Sequence, residues 1–133
     1  MSRILLIEDD EMLRNGLKLV LERAGHQVDT AGDGRGAEAQ VAKFQPELVV
    51  TDILMPGRDG LETIRSLTVS RPTFGLLAIS GGGHLDGRVY LTLARHLGAT
   101  ATLAKPFSNR EFLRTVEDLL PQPAGSPSLE HAC

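Results

Sequence analysis

Several apolar runs of this 133-residue chain end in residues that can do chemistry. Glu8, Asp9 and Asp10 follow Arg3-Ile4-Leu5-Leu6-Ile7. Asp52 closes Leu48-Val49-Val50-Thr51, Ser80 follows Leu76-Leu77-Ala78-Ile79, and Lys105 follows Thr100 to Ala104. Carboxylates gathered at one end of buried strands repel: two unit charges about 4 Å apart cost on the order of 4 kcal/mol at an effective dielectric near 20. A cation must stand among them. One or two carboxylates completed by water suit Mg²⁺. A lysine opposite the metal makes a place for a phosphoryl group, which an ionised carboxylate can attack. Ser80 can donate a hydrogen bond to the product. The chemistry implied is transfer of phosphate onto Asp52. Singly, each residue has a plainer use: Asp9 or Asp10 as an N-cap, Asp52 or Ser80 in a turn, Lys105 as a solvated lysine. Those uses leave the joint pattern unexplained.

The elements that must position these residues alternate strand and helix five times, the pattern of an α/β domain with a parallel sheet. Leu48 to Asp52 is apolar and β-branched, as a strand buried on both faces should be. Gln27 to Ala31 is more polar and reads as an edge. Leu13, Leu17, Val20, Leu21 and Ala24 share one face of a helix over Met12–Ala24, which Gly25 should stop. Further helices are expected around Arg35–Phe44, Leu61–Val69 and Asp86–Leu97, the last ending at Gly98. Strands are expected over Phe74–Ser80 and Thr100–Ala104. Ser108 and Glu111 have capping-box spacing ahead of a last helix carrying Phe112, Leu113, Val116, Leu119 and Leu120. Right-handed crossovers bring all five strand C-termini to one rim, where ligands bind in open α/β sheets. Residues 1–120 form one domain; 121–133, Pro- and Ser-containing, read as a disordered tail.

Bulk properties remove other classes. The net charge is −3 and the 14 Lys and Arg are scattered, so no nucleic-acid surface is expected. No run is long enough to span a membrane and no signal peptide opens the chain, so the expected compartment is the cytoplasm. The lone Cys133 permits no internal disulfide or zinc cluster. Gly32-Asp33-Gly34-Arg35-Gly36-Ala37 matches a dinucleotide fingerprint, but it follows an edge strand and sets Asp33 where a pyrophosphate would lie. Gly81-Gly82-Gly83 lacks the Lys-Ser or Lys-Thr of a P-loop. A phosphohydrolase with an aspartyl nucleophile needs an acid beside Asp52 and a cap over it; Ile53-Leu54 follows instead, and His84 is the sole stand-in.

The ordered set Glu8-Asp9-Asp10, Asp52 with Met55-Pro56-Gly57 and Asp59-Gly60-Leu61, Ser80-Gly81, Gly98-Ala99 and Lys105-Pro106-Phe107 resembles the receiver domains of two-component response regulators. The resemblance covers about Arg3 to Leu120. It implies a flavodoxin-like, doubly wound five-stranded parallel sheet of order 2-1-3-4-5, with helices on both faces. It implies Asp52 as phosphoacceptor and Asp9 as a direct Mg²⁺ ligand beside it. Glu8 would act mainly through water, Leu54 would offer its carbonyl, and Asp10 would be either a third acid or the cap. Ser80 and Lys105 would contact the phosphoryl group, with a cis bond at Lys105-Pro106. The donor would be a histidine kinase or histidine phosphotransfer protein. Output would be contact with an unidentified protein target, without an output domain, as in stand-alone chemotaxis-type receivers, the chain acting as a monomer or phosphorylation-dependent dimer. One departure stands out: Thr102 occupies the position where receivers carry a switching Tyr or Phe. The Ser80-to-Asp86 loop and the helix after it are then expected to carry the change.

Overall fold

In the computed structural model, residues 2–53, 60–69, 73–80 and 87–120 are described, residues 60 and 87–91 at the level of the backbone. Leu54, the Met55-Pro56-Gly57 turn, Asp59, the Gly81-Gly82-Gly83 loop with His84, and 121–133 with Cys133 lie outside them.

The elements are β1 (Arg3–Ile7), α1 (Glu11–Arg23), β2 (Gln27–Ala31), α2 (Ala37–Phe44), β3 (Leu48–Asp52), α3 (Gly60–Thr68), β4 (Gly75–Ser80), α4 (Gly87–Leu97), β5 (Ala101–Ala104) and α5 (Asn109–Leu119). All sheet pairs are parallel, in the order β2-β1-β3-β4-β5. β3 lies at the centre with every residue buried. β2, the expected edge, has none.

Side chains alternate across the strands, and each set has its own core. Ile4, Leu6, Leu48, Val50, Leu77 and Ile79 meet Leu17 and Leu21 of α1 and Phe112 and Val116 of α5. Leu5, Ile7, Val49, Leu76 and Ala78 meet Ala37, Ile64, Leu67 and Ala94 of α2, α3 and α4. Two apolar faces on one sheet require helices on both, and neither face can be uncovered without exposing the strands.

Asp10 accepts the Leu13 N–H through its side chain and so caps α1. Ser108 does the same for α5 through the Glu111 N–H, at 3.0 Å. Gly25 and Gly98 have φ of 98° and 119°. In each case the glycine N–H and the next N–H return to the preceding turn: Gly25 to Glu22 and His26 to Leu21, Gly98 to Arg95 and Ala99 to Ala94. That is a Schellman stop. Most boundaries lie within a residue or two of the sequence pattern, and two of the shifts have a visible cause. α2 starts at Ala37 rather than Arg35 because Gly36 is left-handed, at φ 74°. β5 starts after Thr100, whose hydroxyl accepts the Leu76 N–H and so ends the regular ladder.

Candidate functional site

The register brings the sequence-selected residues together. Ile7 pairs with Thr51, Asp52 with Ile79 and Ser80 with Ala104, so β1, β3, β4 and β5 finish within a residue of one another. Glu8 is the first residue past β1, Asp52 and Ser80 are the last residues of β3 and β4, and Lys105 follows β5. Glu8, Asp52 and Ser80 are buried, each at most 3% exposed.

Lys105 Nζ donates to Asp52 Oδ2 at 2.7 Å and to Glu8 Oε1 at 3.3 Å. The lysine therefore bridges both buried carboxylates. Its backbone is held as well: the Lys105 N–H donates to the Ser80 carbonyl at 2.8 Å. The Lys105-Pro106 bond is cis, as expected from the resemblance. Phe107 stacks on the core residue Phe112 with ring centroids 5.5 Å apart, anchoring the turn that carries the lysine.

The electrostatics follow from burial. Desolvation, with the Asp52 charge added, raises Glu8 from 4.5 to about 7. Burial pulls Lys105 down, but the hydrogen bond to Asp52 and the charges of Asp52 and Glu8 outweigh it and leave the ammonium above its ordinary value. The pocket keeps its lysine charged and lets Glu8 hold its proton up to about pH 7.

The remaining acids divide. Asp10 is the cap, and its own N–H donates to Glu8 Oε2 at 3.1 Å. The cap is one of the two uses expected of it. Asp9 is exposed, yet carboxylate oxygens of Glu8, Asp9 and Asp52 all lie within 4.8 Å of one another. Three hard oxygen donors, two in the protein wall and one open to water, fit Mg²⁺, which keeps part of its water shell. Leu54, the remaining expected ligand, is outside the described residues.

Thr102 lies mid-strand in β5, paired with Ala78 and half-buried. Ala101 and Leu103 pack on the α1–α5 side, so Thr102 faces the other side, as Ala78 does. It is on the face that α4 covers, its partner Ala78 standing two residues before Ser80.

Two supporting contacts were not read from the sequence. Arg14 Nη1 donates to the Glu8 carbonyl at 2.9 Å. Gly34 lies so close to buried Thr63 of α3 that a methyl group there would collide with its Oγ1. An arginine in a first helical turn carries no sign of an inward target, and Gly34 hides within the glycine-rich turn. The same packing bears on the dinucleotide reading: Asp33 Oδ1 accepts the Arg35 N–H at 2.8 Å and closes its own turn, and Thr63 stands against Gly34.

The response regulator receiver domain family matches residues 4–117. The alkaline phosphatase synthesis transcriptional regulatory protein SphR of Synechococcus elongatus is 35% identical, over 96% of this chain and 54% of that protein. Among solved structures, a signal receiver domain from Bermanella marisrubri is 34% identical with a TM-score of 0.80, covering 90% of this chain and 98% of that one. Chemotaxis protein CheY4 of Vibrio cholerae is 26% identical with a TM-score of 0.79, covering 90% and 99%. The chain spans about half the length of the curated relatives it matches.

Proposed function

This chain belongs to the response regulator receiver domain family, and from that premise we propose that it accepts a phosphoryl group on Asp52 from a phosphohistidine donor. The observation that carries the reading is the Lys105 ammonium 2.7 Å from Asp52 Oδ2 at a rim shared with Glu8 and Asp9.

Asp52 is the nucleophile. Its carboxylate oxygen forms the new O–P bond while the P–N bond to the donor imidazole breaks, and the imidazole nitrogen keeps the electron pair and takes a proton. Lys105 keeps Asp52 next to a fixed positive charge before the reaction, and afterwards pairs with the added phosphoryl oxygens. Ser80, at the end of the adjoining strand, donates its hydroxyl to that group. Asp9 and Asp52 would hold Mg²⁺, with Glu8 acting through water and Leu54 through its carbonyl. Bound there, the metal supplies charge neutralisation at the phosphoryl oxygens.

The donor is a sensor histidine kinase or a histidine phosphotransfer protein, and the compartment is the cytoplasm. Among the described residues no helix is long and apolar enough to cross a membrane. Output from this domain is contact with a protein target or a second copy, through α4, β5 and α5. Several relatives about twice as long are transcriptional regulatory proteins.

Acetyl phosphate with Mg²⁺ should add one phosphoryl group, read by intact-protein mass spectrometry. EDTA should prevent it and Asp52→Ala should abolish it. Unchanged labelling of Asp52→Ala would overturn the assignment.

A further inference from the structure

We propose that Arg14 is a positioning residue of the acid pocket: its guanidinium fixes the Glu8 peptide and so sets the direction from which Glu8 and Asp9 face Asp52. The inference rests on the metal-dependent reading above and concerns a residue to which that reading gives no task.

Glu8 is held through both its backbone and its carboxylate. Its N–H donates to the Ala31 carbonyl of β2 at 3.0 Å. Its carboxylate oxygens are divided between Lys105 Nζ and the Asp10 N–H. Its carbonyl accepts from Arg14 Nη1 at 2.9 Å. The first three come from the strand, the functional lysine and the turn itself. Among the described residues, Arg14 alone ties the turn to a helix side chain.

Arg14 is itself well fixed. Its N–H donates to the Asp10 carbonyl at 2.8 Å, in the first turn of a helix whose cap is Asp10. A side-chain carbon at Gly32 would stand 3.5 Å from Nη1, so the segment after β2 lies over the guanidinium. A planar guanidinium is preorganised for such a bond, whereas a lysine reaches it only by ordering a flexible stem. Among the described residues Arg14 forms no ion pair with Glu8, Asp9 or Asp52. It spends its charge on a carbonyl.

Charge and position make opposite predictions. As a charge near a cation site, Arg14 opposes Mg²⁺, and removing it tightens binding. As a positioning group it holds Asp9 and Glu8 in place, and removing it weakens binding. Partners of metal ligands of this kind commonly change affinity by about tenfold or more.

Three variants decide the matter: Arg14→Met, Arg14→Lys and, as a matched control, Arg3→Met. Arg3 Nε donates to the carbonyls of Phe44 and Gln45, both at 3.1 Å, at the opposite end of the sheet. Mg²⁺ affinity is read by titration calorimetry, and the Asp9 and Asp10 amides by NMR of metal-free protein. Both Arg14 variants should weaken Mg²⁺ about tenfold and move those amides before any metal is added. Arg3→Met should lower the thermal midpoint and leave the Mg²⁺ constant where it was. The proposal is overturned if Arg14→Met binds Mg²⁺ as tightly as wild type or tighter, or if Arg3→Met weakens it equally. Should Arg14→Met fail to fold, Arg14→Lys decides: charge alone predicts unchanged affinity, position predicts loss. If wild type bound no Mg²⁺, the metal reading would fall on its own. The metal-free amides would then decide Arg14, and unmoved Asp9 and Asp10 signals would overturn it.

Discussion

Glu8 is the residue on which the pocket's pH response turns. Its carboxyl titrates near 7 in the folded protein against an ordinary 4.5, because it is desolvated and faces Asp52. A raised acid pKa means that the folded state keeps a proton the unfolded state has already lost. Stability from this group is therefore complete below 4.5 and declines as pH rises through 7. Lys105 adds nothing to this window, since its shift lies above 10.5. In metal-free protein, Glu8→Gln should match wild type in thermal midpoint near pH 4.5 and become the more stable of the two by pH 8. Every other titrating group is common to both proteins, so parallel pH curves would show that Glu8 titrates alike in the folded and unfolded chain. A Mg²⁺ excess of a hundredfold over its dissociation constant should stabilise wild type by about 2.7 kcal/mol. The same excess should offset the loss above pH 7. Asp52, Lys105 and Glu8 were legible in the sequence because each ends an apolar strand, where a charge has no packing role. Arg14 was not. In the one-dimensional pattern it is another polar residue on an amphipathic helix, and its target is a backbone carbonyl, which leaves no mark in composition.

The elements were legible to within a residue or two wherever a stop is encoded by glycine or by a cap. Asp10, Ser108, Gly25 and Gly98 all stand where the pattern changes. Of the shifted boundaries, the start of α2 follows from the left-handed Gly36. The start of β5 depends instead on a contact between distant segments, the Thr100 hydroxyl taking the Leu76 N–H. Gly25 and Gly98 allow the local and distant contributions to be separated. Both close a helix with positive φ, at 98° and 119°, so alanine strains the backbone at each. Around Gly25 a new Cβ meets nothing within 4 Å, whereas at Gly98 it would lie 3.0 Å from Thr68 Cβ and Cγ2. Thr68 has little room to yield, because its hydroxyl donates to the carbonyls of Ile64 and Leu97 at 2.8 and 2.9 Å. Gly25→Ala should cost about 1 kcal/mol, and Gly98→Ala should cost about 1–3 kcal/mol more through overpacking. Urea denaturation measures both. Equal losses would mean that the α3–α4 junction repacks freely around an added methyl group.

At the scale of the whole molecule, the sheet order joins the acid pocket to the face that α4 covers. β4 and β5 run side by side, with Ser80 at the pocket and Thr102 paired to Ala78 on the α4-covered face. Both strands reach α4, whose Ala94 is buried against that face. A phosphoryl group on Asp52 would draw the Ser80 hydroxyl toward it and pull on the C-terminal end of β4. In a receiver with an aromatic at the position of Thr102, a ring follows that movement inward. Threonine is too small to fill such a space, and its β-branched side chain has few rotamers to exchange. The change should therefore pass from Ser80 to α4 and leave β5 nearly still. The binding surface altered by phosphorylation would then be weighted toward α4, with α5 and its outward Arg110 and Arg114 as the fixed part. Amide NMR with and without a beryllofluoride phosphoryl mimic tests this in wild type, Ser80→Ala and Thr102→Val. Wild type and Thr102→Val should show the same large shifts in α4 and small ones in β5, and Ser80→Ala should lose most of the α4 shifts. If Thr102→Val abolishes the response while Ser80→Ala keeps it, the signal runs through β5 and the threonine is itself the moving part.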